Sequence, residues 1–317
     1  MNRMNQHNGF IANGNWYKGN IHCHTANSDG ALSQEEVARL YKKEGYHFLA
    51  FTDHNRFTVT DAYNDDNFIV IPGIEVNIEK YEPDRISIYH CVGIQEKGVT
   101  GGFDDGEPFQ AGEWEGMESA QNMIRRLKEK GMKAVFCHPN WSRLELDDFI
   151  DLKDYFALEV YNYGCAVESH TGLSVDYWDS LLRRGRRIWA VATDDCHHHI
   201  DDRFGGWIMV KAPELTKDAI MESLEQGSFY ASSGPKIYDY RVKDGTVFIE
   251  CSPVRAIHFV TYENWGHSTF AGRNGTITSA EYHLKGTEKY VRVECEDLSG
   301  RTAWSNPIFL SSAPSSR

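Results

Sequence analysis

Histidines recur beside turn residues in the first two-thirds of this chain, and the pair His22 and His24 has metal-ligand spacing. His22 and His24 form an H-x-H within NIHCHT, a short apolar run flanked by turn residues. Side chains two positions apart on a strand share one face, so both imidazoles can reach the same metal ion. Cys23 must then point to the opposite face, where a buried thiol behaves as a small hydrophobic group. The spacing predicts metal ligation at the end of the first strand.

Further ligand-type residues stand at or just after later strand ends. They occur in the segments Ser28-Asp29-Gly30, Thr52-Asp53-His54, Gly73-Ile74-Glu75, Tyr89-His90-Cys91, Cys137-His138-Pro139 and Thr193-Asp194-Asp195-Cys196-His197. In a parallel barrel the carboxyl ends of the strands converge on one rim, so these residues would meet there. Imidazole and carboxylate ligands without thiolates suit Zn²⁺, Mn²⁺ or Fe²⁺. The number of ligands exceeds the needs of one ion, so we expect two or three divalent ions.

Alternating strand-like and helix-like segments surround these residues. Strands are predicted at 20–25, 47–52, 68–76, 86–94, 132–139, 157–162, 187–193 and 207–212, and helices at 34–44, 117–130, 174–184 and 216–226. The first helix has a capping box, Ser33 with Glu36, and a stop signal at Gly45. This alternation predicts a parallel α/β architecture with enough units for a barrel. The acidic, glycine-rich stretch 96–115 has no periodicity and is expected to form a loop over the active site.

The pattern changes after Gly234-Pro235. Short strands are predicted at 236–242, 246–251, 256–262, 281–284, 290–295 and 307–310, with a hairpin turn at Asp244-Gly245 and no helix. About 80 residues of this kind suit a small antiparallel sandwich. We therefore predict two domains, 1–234 and 235–317.

Charge and composition exclude several classes of protein. The 317 residues include 41% hydrophobic and 25% charged residues, which is ordinary globular composition. A formal net charge of −13 disfavours binding to nucleic acid or to anionic membrane surfaces. The sequence has no apolar run of about 20 residues and no secretory h-region, and its seven cysteines show no C-x-x-C spacing. We expect a reduced, cytoplasmic chain without a membrane or nucleic-acid partner; the oligomeric state is left open.

The chain resembles the PHP (polymerase and histidinol phosphatase) family of metal-dependent phosphoesterases. The resemblance runs from about Gly19 to Gly234 and is carried by NIHCHT, NSDG, LAFTDHN, PGIEV, HCVG, CHP and TDDCH in the family's order. The DDxH ending, the trailing β domain and EDLSGRTAWSNPIFL are similar to the branch that includes naphthyl-carbamate hydrolases. The resemblance implies a distorted (β/α)₇ barrel, followed here by a small all-β sandwich-like domain, with a dinuclear or trinuclear site on the barrel rim.

The resemblance also implies how the ligands are shared. A first ion would take His22, His24, Glu75 and Asp195, a second Asp29, His54 and His197, and a third His90 and His138 with Glu75 as a bridge. The family's D-x-H spacing to His197 selects Asp195 as the ligand and leaves Asp194 to orient a ligand histidine. Asp53 is expected to serve a turn or to support His54.

Hydrolysis by metal-activated hydroxide is the expected reaction. The leading hypothesis is a phosphoesterase that acts on a small phosphorylated metabolite or nucleotide. A carbamate or ester hydrolase on the same site is the alternative, and a non-catalytic metal-binding module is a third possibility. Catalytic roles are expected for Glu75, Asp195, His197, Arg143 and Arg203, the arginines as phosphate-binding groups unless they are merely structural or solvated. His198 or His199 is a candidate proton donor.

Overall fold

The computed structural model describes residues 6–310, so the predicted domain ends at 1–5 and 311–317 lie outside the described residues. The first eleven strands are β1 (Gln6–Asn8), β2 (Asn15–Asn20), β3 (Phe48–Ala50), β4 (Ile69–Ile71), β5 (Gly73–Glu82), β6 (Arg85–Gln95), β7 (Met132–Phe136), β8 (Tyr155–Asn162), β9 (Trp189–Thr193), β10 (Trp207–Ala212) and β11 (Phe229–Ser232). The helices are α1 (Gln34–Lys43), α2 (Met117–Glu129), α3 (Tyr163–Ser169), α4 (Val175–Arg183) and α5 (Lys217–Glu225), with a 3₁₀ turn at Leu146–Asp148.

Capping residues set the limits of the helices, and four of the five match the sequence prediction. The Ser33 side chain accepts a hydrogen bond from the Glu36 backbone, and Glu36 Oε2 accepts one from Ser33 N at 3.0 Å, which confirms the capping box. Gly45 follows α1 with φ +75°, the left-handed conformation of a helix stop. Helix α3 was not predicted. It has only seven residues and depends on a cap from Asn162, whose Oδ1 accepts from Cys165 N at 2.9 Å.

Sheet pairing is parallel in part. Strands β2, β3 and β4 are parallel neighbours, as are β7, β8 and β9, but β6 runs antiparallel to both β5 and β7. The expected parallel arrangement is therefore wrong at β6, and also at β10, which runs antiparallel to β2. Only Pro83 and Asp84 separate β5 from β6, and so short a connection can join only antiparallel strands.

Single bridges connect the segments that follow these strands. Regular pairing of β2 ends at Asn20. Residues 21–25 then run beside the segment that follows β9, and a parallel bridge between Cys23 and Cys196 joins the two segments. His24 N donates to Cys196 O at 3.0 Å across this bridge. A second parallel bridge joins His54, after β3, to Glu75 of β5. The irregular extensions of the strands thus lie side by side, with their ligand-type residues.

The remaining strands are β12 (Ile237–Lys243), β13 (Thr246–Val254), β14 (Ala256–Thr261), β15 (His267–Phe270), β16 (Ile277–His283), β17 (Tyr290–Glu296), β18 (Thr302–Ser305) and β19 (Ile308–Phe309). Their pairings are all antiparallel, as predicted, although β15 and β18 were missed. No helix lies between residues 237 and 310. A four-stranded sheet has the order β1-β12-β13-β16. The chain is thus a mixed α/β protein with an all-β C-terminal region.

One sheet of ten strands runs through both regions. Its order is β15-β14-β17-β18-β11-β10-β2-β3-β4, with β19 on β17, and a five-stranded sheet, β5 to β9, packs beside it. Asn306 connects the parts: its Oδ1 accepts from Ala190 N at 2.9 Å, and its Nδ2 donates to Phe229 O at 3.0 Å. The boundary near Gly234 stays a prediction. Among residues 6–310, no helix is long and apolar enough to cross a membrane.

Candidate metal centre

A cavity of about 700 Å³ opens where the strand extensions meet. Its lining includes seven of the nine ligand-type residues expected from the sequence: Asp29, His54, Glu75, His90, His138, Asp195 and His197. His22 and His24 lie beneath them and are completely buried. The structure therefore brings all nine predicted residues together, from segments spread over 176 positions of sequence.

The deepest group joins His22 and His24 to two carboxylates. His22 Nε2 lies 3.2 Å from Glu75 Oε1 and 3.0 Å from Asp195 Oδ1. His24 Nε2 lies 3.2 Å from Glu75 Oε2 and 3.0 Å from Asp195 Oδ1. These are the four residues expected to hold the first ion, and one donor atom from each lies within 4.8 Å of the others.

A second group forms around Asp29 at the mouth of the cavity. Asp29 Oδ2 is 3.6 Å from His54 Nε2 and 3.5 Å from His197 Nε2, and its Oδ1 is 3.7 Å from His24 Nδ1. The Asp29 side chain is half exposed, whereas His24 is fully buried. This group contains the three residues expected for a second ion, with His24 beside them.

Glu75 also contacts the remaining two histidines. Its Oε1 lies 2.8 Å from His90 Nδ1 and 3.4 Å from His138 Nε2, and its Oε2 lies 3.1 Å from His54 Nδ1. His138 Nε2 also lies 3.7 Å from Asp195 Oδ2. Glu75 is therefore in contact with residues of every expected ion group, which is the position a bridging ligand needs.

Buried polar atoms without partners show that a cation fits here. In residues 6–310, the following atoms are buried and accept or donate no hydrogen bond: His22 Nε2, His24 Nδ1, His54 Nδ1, Glu75 Oε2 and His90 Nε2. An unsatisfied buried polar group is costly unless something binds it. Imidazole nitrogens and carboxylate oxygens are ligands for Zn²⁺, Mn²⁺ and Fe²⁺. The donor set therefore fits divalent ions.

The electrostatics of these residues favour a bound cation. Burial alone would lower the pKa of His22, but the charges of Asp195 and Glu75 raise it well above its ordinary value. Against the same effect of burial, the hydrogen bond to Asp195 and the nearby Glu75 carboxylate raise the pKa of His24 to about 10. Burial dominates at His54, where the pKa falls to about 4. Bound divalent ions would replace the protons that the carboxylates otherwise draw onto histidine.

Glu159 contacts the candidate metal centre and was not predicted from the sequence. It is buried in β8, and its Oε1 lies 2.6 Å from His22 Nδ1 and accepts from Thr193 Oγ1 at 2.9 Å. Its Oε2 accepts from His138 N at 3.1 Å and from Asn162 Nδ2 at 3.0 Å. The sequence does mark Glu159, because it is the one charged residue inside the apolar run ALEVYN. Glu159 fixes the His22 ring with its Nε2 directed at Glu75 and Asp195.

Asp194 has a different role from the one expected of it. Its carboxylate accepts from the backbone N–H groups of Phe204, Gly205 and Gly206, each at 2.9 Å, and from the Tyr41 hydroxyl at 2.6 Å. It contacts no ligand histidine through a hydrogen bond. Asp194 therefore holds the turn before β10 instead of orienting a ligand.

Replacing Asp194 by alanine should destabilise the fold strongly. The change leaves three backbone N–H groups and a buried hydroxyl without an acceptor, so we expect a loss of about 2–5 kcal/mol in the free energy of unfolding. Denaturant unfolding followed by circular dichroism measures it. Asp201→Ala, at a strongly exposed side chain in the same region, is the control. A change below about 0.5 kcal/mol, as at ordinary surface sites, would contradict this role.

Arg143, Arg203 and stretch 96–115 were also predicted to belong to the site, but they do not line the cavity. Arg143 is exposed, Arg203 has an ion-pair contact to Asp201 at 3.9 Å, and neither lines the cavity. A phosphate-binding role for these arginines therefore finds no support in the cavity. Stretch 96–115 packs on the segment after β3, where Phe57 N donates to Glu107 O at 3.0 Å, and it does not line the cavity either.

Asp53 and two further histidines occupy distinct positions. Asp53 Oδ1 accepts from Thr25 N at 2.8 Å, which confirms its expected role in a turn. His199 lines the cavity and its Nε2 lies 2.8 Å from Asp29 O. His198 does not line the cavity, because its ring lies against Cys196. Of the two candidate proton donors, only His199 reaches the cavity.

The outer wall of the cavity is acidic and partly aromatic. Trp141 lies with its ring centroid 5.0 Å from that of His138, and its Nε1 donates to Glu168 Oε2 at 3.0 Å. Glu79 and Ile200 complete much of this wall. No lysine or arginine is among the described residues that line the cavity.

Comparison with known proteins finds a family match in part of the chain. The PHP domain model matches residues 20–99. This segment contributes six of the nine clustered residues, namely His22, His24, Asp29, His54, Glu75 and His90.

Individual relatives match at lower similarity. The DNA polymerase/3'-5' exonuclease PolX of Bacillus subtilis (strain 168) is 33% identical over 79 residues, and the match covers 19% of this chain and only 14% of that protein. A two-domain protein of Bacteroides vulgatus with a predicted PHP-like metal-dependent phosphoesterase is 13% identical, with 95% of this chain and 96% of that chain covered and a TM-score of 0.48. An amidohydrolase of Chromobacterium violaceum, solved with sulfate and no metal, is 16% identical, with 67% and 96% covered and a TM-score of 0.43.

Proposed function

We propose that this protein is a metal-dependent phosphoesterase that hydrolyses a small phosphorylated metabolite or nucleotide. The observation that carries the proposal is the group of nine histidine and carboxylate residues around Glu75, with unpartnered buried donor atoms, at the floor of a cavity of about 700 Å³. The PHP domain match over residues 20–99 supports it.

Two or three divalent ions, Mn²⁺, Zn²⁺ or Fe²⁺, would be held by the three groups described above. Such ions supply a water of lowered pKa as nucleophile and stabilise the charge that develops in the transition state. Glu75 spans the groups, and Asp195 reaches His22 and His24 with Oδ1 and His138 with Oδ2. His197 stands at the mouth with Asp29, where substrate enters.

The surrounding residues of the chain orient the ligands. Glu159 holds His22 through Nδ1, so that Nε2 is left for the metal. Asn162 Nδ2 donates both to Glu159 Oε2 and to Asp195 Oδ2, each at 3.0 Å, and couples the two carboxylates. His199 is the proposed proton donor to the leaving group. The proposal gives Arg143 and Arg203 no part, because neither lines the cavity.

The same proposal includes a distorted seven-stranded barrel. Strands β2, β3, β5, β6, β7, β8 and β9 would form the ring, and the bridges Cys23–Cys196 and His54–Glu75 support its closure. The antiparallel β6 and the irregular extensions of β2 and β3 are the distortions. Residues after Gly234 would form the sandwich-like domain.

A carbamate or ester hydrolase on the same site is the second candidate. The observation that favours it is the lining of the cavity, which contains no lysine or arginine among the described residues and has Trp141 on its wall. A neutral acyl substrate with an apolar leaving group meets less electrostatic repulsion from Glu79 and Glu168 than a multiply charged phosphate does.

Metal content and substrate preference test both candidates. Elemental mass spectrometry on protein purified without chelator should give two or three ions of Mn, Fe or Zn per chain. Steady-state rates should then show hydrolysis of p-nitrophenyl phosphate that disappears after chelation and returns on reconstitution. Turnover of an aryl N-methylcarbamate alone would select the second candidate. One ion or none after reconstitution, with no turnover of either ester, would overturn both.

A further inference from the structure

Two thiols lie directly behind the candidate metal centre. Cys23 stands between His22 and His24, and Cys196 stands between Asp195 and His197. Alternation along the extended chain turns the ligand side chains toward the cavity and the thiols toward the opposite face. Because the bridge pairs Cys23 with Cys196, both thiols reach that face at the same level, and both are completely buried.

The thiols form a compact group with one histidine. Cys23 Sγ and Cys196 Sγ are 3.3 Å apart, and His198 Nε2 lies 3.4 Å from Cys196 Sγ. One donor atom from each residue lies within 4.8 Å of the others, and this is the one group with cysteine found in residues 6–310. The Tyr41 hydroxyl lies 3.1 Å from Cys196 Sγ and is a further donor.

We propose that Cys23, Cys196 and His198 bind a Zn²⁺ ion at a site separate from the candidate catalytic centre. Thiolate and imidazole select Zn²⁺, whereas the cavity group has no sulfur ligand. Zn–S and Zn–N bonds of about 2.3 and 2.0 Å in a tetrahedron separate the donors by about 3.5–3.8 Å. The pairs Cys23 Sγ–Cys196 Sγ, at 3.3 Å, and Cys196 Sγ–His198 Nε2, at 3.4 Å, are within about 0.5 Å of these separations. Tyr41 or a water would complete the coordination.

His198 supports a ligand role through its surroundings. Its ring faces Cys196 and not the cavity, with Nε2 directed at Cys196 Sγ. By contrast Cys91, Cys137 and Cys165 are equally buried, but no second thiol or histidine forms such a group with them in the described part of the chain. The geometry therefore distinguishes this pair from cysteines that serve packing alone.

A zinc ion at this position would tie together the two segments that present four of the catalytic-centre residues. The segment after β2 carries His22 and His24, and the segment after β9 carries Asp195 and His197. Hydrogen bonds and one bridge join them in the protein alone. The site would thus act as a cross-link that fixes the distance between the two ligand pairs.

Cobalt substitution tests the proposal without any activity measurement. Co²⁺ added to reduced, metal-free protein should produce thiolate-to-cobalt charge-transfer absorption in the near ultraviolet, because this group combines two thiols with a histidine. Cys196→Ala should abolish the absorption, and Cys91→Ala, the matched buried control, should retain it. Zinc should displace the cobalt and remove the absorption, and Cys196→Ala should contain one fewer zinc ion per chain than Cys91→Ala.

Folding is checked by circular dichroism, and His198→Ala provides a milder variant at a half-buried side chain. If Cys196→Ala does not fold, His198→Ala should still weaken cobalt binding at least about tenfold while the protein stays folded. Absence of charge-transfer absorption in folded wild-type protein with excess Co²⁺ would overturn the proposal. Absorption that is unchanged in folded Cys196→Ala or His198→Ala would overturn it as well. The occupancy of the cavity group does not affect either result.

Discussion

Replacing Asp195 by alanine should lower turnover by at least about 100-fold and reduce the metal content by one or more ions per chain. Asp195 Oδ1 lies 3.0 Å from both His22 Nε2 and His24 Nε2, so its charge holds the deepest group together. Loss of one ion removes several kcal/mol of transition-state stabilisation, and about 2.7 kcal/mol already corresponds to 100-fold in rate. Elemental mass spectrometry and steady-state kinetics on the same samples measure both effects.

The backbone conformation of Asp195 makes asparagine a useful second substitution beside alanine. Asp195 has φ +51°, a left-handed conformation that asparagine tolerates better than alanine. Asp195→Asn therefore keeps the shape and the turn while it removes the charge, and it should show the same loss of metal and turnover. Asp201→Ala, at a strongly exposed carboxylate, should keep both. Wild-type metal content and turnover in folded Asp195→Asn would contradict the proposed site.

Glu159→Gln should weaken metal binding or activity about 10–100-fold, although Glu159 touches no substrate. The substitution keeps the volume but removes the charge that accepts the His22 Nδ1 proton at 2.6 Å. His22 would then present its Nε2 less firmly. Because the residue acts through His22, the apparent metal affinity should fall, and excess metal should restore part of the lost kcat.

A buried glutamate in the C-terminal region serves as the matched control. Glu288 is 4% exposed and accepts hydrogen bonds from Tyr282 Oη at 2.7 Å and Lys285 N at 2.8 Å. Glu288→Gln should lower the free energy of unfolding, because it alters a buried, hydrogen-bonded carboxylate. It should leave the metal affinity unchanged. Equal metal affinity in Glu159→Gln and wild-type protein would show that Glu159 serves stability alone.

The sequence predicted what depends on local chemistry. The capping box at Ser33 and Glu36 needs residues three apart, and the structure contains it. The ligand-type residues follow strand ends, and the strand extensions do bring them together. The direction of β6 was not predicted. The two-residue turn before β6 requires antiparallel pairing, but the alternation of strands and helices favoured parallel strands.

The contacts of the site residues that were not predicted form only in the folded protein. Glu159 lies on an apolar strand, and its burial depends on the neighbours that β8 acquires only in the folded sheet. The alternation predicted that Cys23 turns away from the ligands, but its partner Cys196 lies 173 positions further along the chain. Asp194 and Asp195 are adjacent, and only the position of the 204–206 backbone separates their roles.

The pairing of β1 with β12 can form only after β12 has been synthesised. Gln6 pairs with Lys243, so β1 must wait for a strand that follows more than 230 residues later. At about 5–20 residues per second, that interval lasts on the order of 10–50 s. His197 leaves the ribosome before β12 does, so all nine ligand residues emerge while β1 still lacks its partner. Any ion that binds at this stage would therefore meet a nascent chain with all nine ligand-type residues present and with β1 still unpaired.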